Sequence, residues 1–399
     1  MPMSCHEQEY FHNIIGIKNI FAENNRMFDI VDFLEPIDFQ SWIDEERYPS
    51  GQLGGIIDAY TNHFPDLENC DLIIVGATEC RGDGSMHMHN DGANAIRKAL
   101  YKLYGWHQDI CIADIGNIKK AATLADGYAA LQTIVEAAVE ANKILLIIGG
   151  SHDNTLAQYH AYKKMKMQIN ATCIDSLIDL SRENPIRSKN FLMEMLTSEP
   201  NYIAQYSHLG FQSYFVHPHM LETLDKLRFD FHRVGQVSEN IEEMEPVIRN
   251  THLLSFDIQA IKAADAPASN AVNGLTGVEA CTITRFAGMS EELSSMGIYG
   301  YDPQDDVNER TAHQISQMIW YFMDGLSKRK IESTLNHREN FNEYHTAFAE
   351  IETLFLQSKK TQRWWMQMPD ASFIPCSKLD YNMASNNSIP ERWLRVQER

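Results

Sequence analysis

The chain lacks any Cys-x-x-Cys pair, and its seven cysteines, at 5, 70, 80, 111, 173, 281 and 376, are odd in number and scattered. That excludes a disulfide frame and a compact cysteine–metal knot. The expectation is reduced thiols in a cytoplasmic protein, with Cys111, Cys173 and Cys281 buried in apolar stretches. No apolar run is long enough to cross a bilayer. The opening Met-Pro-Met-Ser-Cys-His-Glu has no basic segment followed by an apolar run, so no secretory signal is expected. Positive charge is scarce: 34 Lys and Arg face 54 Asp and Glu, for a formal net charge of −20. Such an excess repels nucleic acid and anionic membrane at long range, so neither is expected as a partner. Internal repeats and low-complexity segments are also missing.

What is present is material for a large core. Hydrophobic residues make up 44% of the 399 and charged residues 22%, which argues for one large folded unit with extensions or for two domains. Residues 1–65, rich in Phe, Ile, Asn and Asp, read as a helical, aromatic-rich N-terminal extension. Across 66–330, short apolar runs alternate with amphipathic stretches. The strand candidates are Leu72–Ala77, Asp109–Ile115, Lys143–Ile148, Ala171–Asp175, Tyr206–Gly210, Phe231–Val234, Leu253–Asp257 and Ser294–Tyr299. Helical patterns lie between them, as at Ala121–Glu140 and Thr155–Met167. Strand–helix alternation with continuously apolar strands predicts a parallel sheet covered on both faces. The rhythm fits an open sheet or a closed (β/α) barrel equally well. Residues 331–399 read as a C-terminal extension packed on the core. It holds a charged helix-like piece (Asn342–Phe355) and a Trp364–Trp365 pair beside basic residues. Such a pair serves either as a base-stacking platform or as a large aromatic anchor.

In a parallel α/β sheet, ligands gather beyond the carboxyl ends of the strands. Three runs end in polar residues there. In Ile147-Ile-Gly-Gly-Ser-His-Asp-Asn154, two glycines permit a sharp exit and His152 follows. In Thr172-Cys-Ile-Asp-Ser-Leu-Ile-Asp179, a buried run meets Asp175, and Asp179 follows four residues later. In Leu253-Leu-Ser-Phe-Asp-Ile-Gln259, Asp257 and Gln259 stand two apart on a strand, so their side chains are expected to share one face. Each has a bland alternative as a cap or turn residue. Taken together, one imidazole and three carboxylates make a hard, oxygen-rich site suited to manganese or magnesium.

The order and spacing of these motifs resemble those of the arginase, agmatinase and formiminoglutamase (ureohydrolase) family. Val75-Gly-Ala-Thr-Glu-Cys-Arg-Gly82, Gly92-Ala-Asn-Ala-Ile-Arg97 and Asn273-Gly-Leu-Thr-Gly-Val-Glu279 add to the likeness, and Leu209-Gly-Phe-Gln-Ser-Tyr214 leans towards formiminoglutamase. The resemblance implies a three-layer α/β/α fold with an eight-stranded, mostly parallel sheet. It also implies manganese held by His152, Asp175, Asp179 and Asp257, with Asp179 and Glu279 as catalytic positions, Glu279 meeting the substrate's cationic nitrogen group. Two positions depart from the family pattern: Leu177 stands where a second histidine is expected, and Gln259 where a last aspartate is expected. One metal position then keeps its ligands and the other loses both of its own. The implied activity is hydrolysis of a small amidino or guanidino substrate such as N-formimino-L-glutamate, with one manganese ion expected over two or none. The alternative is an inactive member retained for ligand binding, regulation or assembly. A homo-oligomer is compatible with either.

Further candidates are Asp114 as a supporting or capping residue and the loop histidines His87 and His89 as replacement ligands. Arg81, Arg182, Arg187 and Lys262 are candidates to receive a substrate carboxylate.

Overall fold

A computed structural model describes residues 30–38, 42, 48–84, 91–181 and 183–397. His87, His89, Arg182 and Cys5 lie outside the described residues.

The eight predicted strands all form: β3 (Leu72–Gly76), β4 (Ile112–Ile118), β5 (Ile144–Ile148), β6 (Ile169–Ile174), β7 (Ile203–Phe211), β8 (Asp230–Arg233), β9 (Leu253–Asp257) and β10 (Ser295–Tyr299). Two strands of two residues each, β1 (Leu34–Glu35) and β2 (Asp58–Ala59), both pair with β4 and bring the sheet to ten. The main path runs β1-β4-β3-β5-β10-β9-β6-β7-β8, parallel except for β1. The sheet is open, not a barrel. The N-terminal stretch therefore differs from its expected helical character: its described part consists of short strands and 3-10 turns.

The strands are apolar on both sides because both sides are covered. In β3, Leu72 and Ile74 enter one core while Ile73 and Val75 enter the other; in β5, Leu146 and Ile148 oppose Leu145 and Ile147. The first core is closed by α1 (Gly92–Leu100), and the second by α2 (Leu124–Glu140), α3 (Asn154–Met165), α4 (Phe191–Thr197) and α5 (Pro218–Lys226). On the α1 side, α6 (Val234–Glu239), α7 (Met244–Ile248), α8 (Gly277–Met289) and α9 (Arg310–Ile331) complete the layer. The three-layer α/β/α arrangement follows.

After α9 the chain turns to a second, antiparallel sheet of four strands, β11 (Phe341–Phe348), β12 (Ile351–Ser358), β13 (Trp364–Gln367) and β14 (Phe373–Cys376). Two short helices follow, α10 (Lys378–Ser385) and α11 (Glu391–Gln397). The segment expected to be helix-like, Asn342–Phe355, is a hairpin instead. Its aromatic and β-branched residues face a small core of their own, and that packing overrides the helical charge pattern. Trp364 and Trp365 are buried in β13 as anchors. The Arg249 guanidinium lies 4.6 Å from the Trp365 ring and donates to the Trp364 carbonyl at 2.6 Å. Of the cysteines, Cys173 and Cys281 are buried as expected, but Cys111 is exposed, because β4 begins one residue later.

Asp114, a candidate supporting residue, is spent inside the fold. Arg97, fully buried on α1, grips it through Nε at 2.8 Å and Nη2 at 2.9 Å; Tyr101 Oη donates at 2.9 Å and the Gly116 amide at 3.0 Å. Breaking one side of a buried, hydrogen-bonded pair strands the other charge. Arg97→Leu is therefore expected to cost about 3–5 kcal/mol, read by urea denaturation, and the Arg97→Leu/Asp114→Leu double variant to cost less than the sum of the single changes.

Candidate metal centre at the carboxyl edge of the sheet

Four adjacent strands, β5, β10, β9 and β6, converge on one cavity of about 630 Å³. Each contributes by how it ends. After β5, Gly149 and Gly150 take φ of +85° and +78°, conformations that a side chain disfavours, and turn the chain so that His152 faces inward before α3 begins. After β10, Gly300 (φ +80°) passes so close to Asp257 that a Cβ there would stand 2.6 Å from its Oδ1. Strand β6 runs directly into Asp175, and β9 ends at Asp257.

The side chains meet at His152 Nδ1. Asp179 Oδ2 lies 3.2 Å from that nitrogen, Asp257 Oδ2 3.3 Å and Asp175 Oδ2 3.5 Å. All four residues are buried, at 0–3% exposure. His152, Asp175 and Asp257 also form the one candidate cation cluster found among the described residues, their ligand atoms all within 4.8 Å of one another.

Each residue is held by its other polar atoms. His152 Nε2 meets Ser255 Oγ at 3.0 Å, and Ser255 is in turn 2.5 Å from Thr155 Oγ1. Asp175 Oδ1 accepts the Leu177 amide at 3.2 Å, and Asp257 Oδ1 accepts the Gln259 amide at 2.8 Å. These turns leave the Oδ2 atoms aimed at the imidazole.

The electrostatics are those of a crowded acidic site. Burial alone would lower the His152 pKa, but Cys173, Asp175 and Asp179 together hold it well above the ordinary imidazole value. Burial pushes the Asp257 carboxyl up, and Asp175 adds to this by like-charge repulsion. The donor set fits a hard divalent cation by an independent criterion: His152 Nδ1 and Asp175 Oδ2 are both buried and lack any hydrogen-bond partner. Orphaned buried polar atoms are costly, and a cation would satisfy both. One nitrogen with several carboxylate oxygens suits manganese or magnesium better than zinc or copper.

Leu177 and Gln259 both line the cavity, so the positions that depart from the family pattern face the site. Gln259 does so from a 3-10 turn (Ile258–Ala260), not from a continued strand as its two-residue spacing from Asp257 implied. The Asp257 side chain closes β9 as an Asx-type cap. Glu279, expected to meet the substrate, is not among the lining residues. It forms the capping box of α8, accepting from the Thr276 amide at 2.6 Å and the Thr276 hydroxyl at 2.9 Å. The arginine and lysine candidates are also engaged elsewhere: Arg81 with Glu79, Arg187 with Glu194 at 2.7 Å and Lys262 with Asp265 at 3.6 Å. None of the three lines the cavity.

The residues missed at the sequence level sit on loops and on β7, next to the edge of the sheet. Lys189, Gln212, Tyr214 and Asn273 line the cavity, with Tyr214 Oη donating to Gln212 Oε1 and Gln212 Nε2 donating to the Asn273 carbonyl at 2.5 Å. His208, on β7, lies beneath Asp175, its Nε2 3.3 Å from the Asp175 carbonyl and its Nδ1 2.8 Å from Tyr206 Oη. Burial lowers its pKa to about 4, so the ring is neutral. A histidine inside an apolar strand run was the available signal, and it was not used.

The fold and the site define an open, three-layer α/β protein with a buried His/Asp cluster at the carboxyl edge of its sheet. The match to the Arginase family spans residues 71–324, and the chain belongs to that family. Among curated relatives, the formimidoylglutamase of Staphylococcus aureus (strain MRSA252) is 24% identical over 245 residues, 58% of this chain and 78% of the relative. That of Staphylococcus epidermidis (strain ATCC 12228) is 26% identical over 242 residues, 57% and 77%. Among solved structures, Trypanosoma cruzi formiminoglutamase with Mn2+2 aligns with a TM-score of 0.62 at 18% identity, covering 70% of this chain and 99% of that one. Formimidoylglutamase of Bacillus subtilis aligns at 0.60 and 16%, covering 71% and 94%.

Ser255 gives the shorter of two contacts to His152 Nε2, the other being Cys173 Sγ at 3.6 Å, so Ser255→Ala should leave that nitrogen only the weak sulfur partner and cost about 1–3 kcal/mol of stability by denaturant titration. An unchanged midpoint would show that the imidazole is positioned without Ser255.

Proposed function

We propose that the chain is a metal-dependent hydrolase of linear amidine or guanidine C–N bonds, formiminoglutamase-like, with a substrate of the N-formimino-L-glutamate type. The observation that carries this reading is the convergence of three aspartate oxygens on the buried His152 Nδ1 at the wall of a substrate-sized cavity. The names of the relatives support the substrate class.

His152, Asp175, Asp179 and Asp257 would hold one divalent ion, manganese in preference. Such an ion, when bound, supplies Lewis acidity and lowers the pKa of water beside it. The chain's own residues do the rest. Ser255 and Thr155 fix the imidazole, and the Leu177 and Gln259 amides fix two of the carboxylates, so that little reorganisation is needed as charge develops. The Asp179 carboxylate accepts the proton released when water attacks the amidine carbon. Gln212, Asn273 and Tyr214, linked to one another, offer polar atoms to the rest of the substrate.

A second reading has its own observation. Leu177 cannot coordinate a metal and Gln259 does so weakly, and both face the cavity. A member that binds a ligand at this site without turning it over would look the same.

Elemental analysis after manganese reconstitution should give about one ion per chain, and the loaded protein should release formamide from N-formimino-L-glutamate. Asp257→Asn should lose the ion and at least about a hundredfold in kcat/KM, consistent with removal of a metal ligand. An ion-loaded parent with no turnover across formimino, guanidino and amidino substrates would sink the hydrolase and leave the ligand-binding reading.

A further inference from the structure

Three buried carboxylates around one imidazole leave an imbalance of charge that a single divalent ion does not remove. Asp175, Asp179 and Asp257 carry three negative charges when ionised; the ion supplies two positive ones. The ligand-poor side of the cavity, walled by Leu177 and Gln259, is where the deficit is open.

Lys189 lines that same cavity, the one lysine or arginine among its described lining residues. It ends the 3-10 turn Arg187–Lys189. Its amide donates to the Ile186 carbonyl at 3.0 Å, and its carbonyl accepts the Ser181 amide at 3.3 Å, so the turn is tied to the segment just beyond Asp179. Among the described residues its ammonium forms no hydrogen bond and no ion pair within 4.0 Å, so it is not consumed by a one-to-one partner. Burial works against its charge, but Asp179, Asp257, Asp175 and Asp83 outweigh that and raise its pKa above the ordinary lysine value.

We propose that Lys189 is the second cation of the site: an ammonium facing the aspartates from the side left without ligands by Leu177 and Gln259, so that the cavity is built for one divalent ion and one lysine in place of two ions. The inference rests on the single-ion reading given above. Leu177, Gln259 and Lys189 all line the one cavity. One ion and one ammonium balance three carboxylates, whereas a second ion would add two more positive charges beside the ammonium. Like charges that share one cavity repel.

The test uses the full chain, stripped of metal and titrated with manganese in a calorimeter, in parallel with thermal melts of the metal-free forms. Removing a fixed positive charge should favour the ion and harm the empty site. Lys189→Met is expected to bind manganese at least about tenfold more tightly than the parent. Its metal-free form should melt several degrees lower. Lys189→Arg, which keeps the charge, should match the parent in both. A merely structural lysine would lower the melting temperature without tightening the ion, and that result overturns the proposal, as does a Lys189→Met variant unchanged in both. If Lys189→Met does not fold, stoichiometry decides with Lys189 in place: Leu177→His/Gln259→Asp should still bind one ion, and two ions would overturn the proposal. Where Lys189→Met folds, adding it to that pair should admit the second ion. If no variant or parent binds manganese, the hydrolase reading falls, and the metal-free melts of Lys189→Met and Lys189→Arg still decide whether Lys189 neutralises the aspartates.

Discussion

Three like charges held within a few ångströms of one imidazole, away from bulk water, form the constraint around which the site is organised. Desolvated carboxylates repel one another and favour protonation, and they are tolerated only where compensating charge is fixed in place. The surroundings supply that fixing piece by piece. Left-handed glycines let the chain leave β5 and β10 sharply enough to bring His152 inward and to make room for Asp257. Ser255 and Thr155 hold the far side of the ring. Two backbone amides each occupy one oxygen of an aspartate and aim the other. A parallel sheet suits this because four neighbouring strands end at the same edge and deliver their terminal residues to one point.

Other buried charges in the molecule show what a purely structural solution looks like. Asp114 receives four hydrogen bonds from Arg97, Tyr101 and Gly116, and both its oxygens are used. Arg363 is divided between Glu332 at 3.1 Å and the Met289 carbonyl at 3.0 Å, close to the Arg249–Trp365 stack that fastens the second sheet to the first. These clusters are closed. The His152 cluster differs by its unsatisfied atoms and by lying at the wall of a cavity, which His152, Asp257 and Lys189 line. Incomplete satisfaction at a deep, accessible point separates a site that awaits a ligand from an ion pair that has already found its partner.

The parallel core was legible because its signal is local. A strand buried on both faces is largely apolar, and such runs mark the inner strands whatever their order; the edge strand β8, half-buried and partly polar, carries the weakest of these signals. His152, Asp175, Asp179 and Asp257 were legible only together: each ending has a bland alternative as a cap or turn residue, but three such endings in one chain reinforce one another. Where several local readings were equal, the chain alone offered no choice. Asn342–Phe355 carries charges at helical spacing, yet it pairs as a hairpin because its aromatic residues find a sheet partner more than ten residues away. Glu279 sits three residues after Thr276, a spacing that serves a capping box and a pocket acid alike, and only the position of α8 relative to the cavity separates them.

By itself, then, the sequence determined the layer architecture and the residues of the acidic cluster, which follow from residue type and near-neighbour spacing; that Leu177 and Gln259 stand at ligand positions is what the family resemblance implies. Tertiary structure decided which cations and polar groups face that cluster. Arg81, Arg187, Lys262 and Lys189 are equivalent as basic residues in loops or turns, and three of them are drawn off by acids near them in space. Lys189 alone lines the cavity, because a short 3-10 turn anchored beside Asp179 carries it there. Charge is a property of a residue, but the field at a site depends on distance, and distance is set by how segments far apart in the chain are packed.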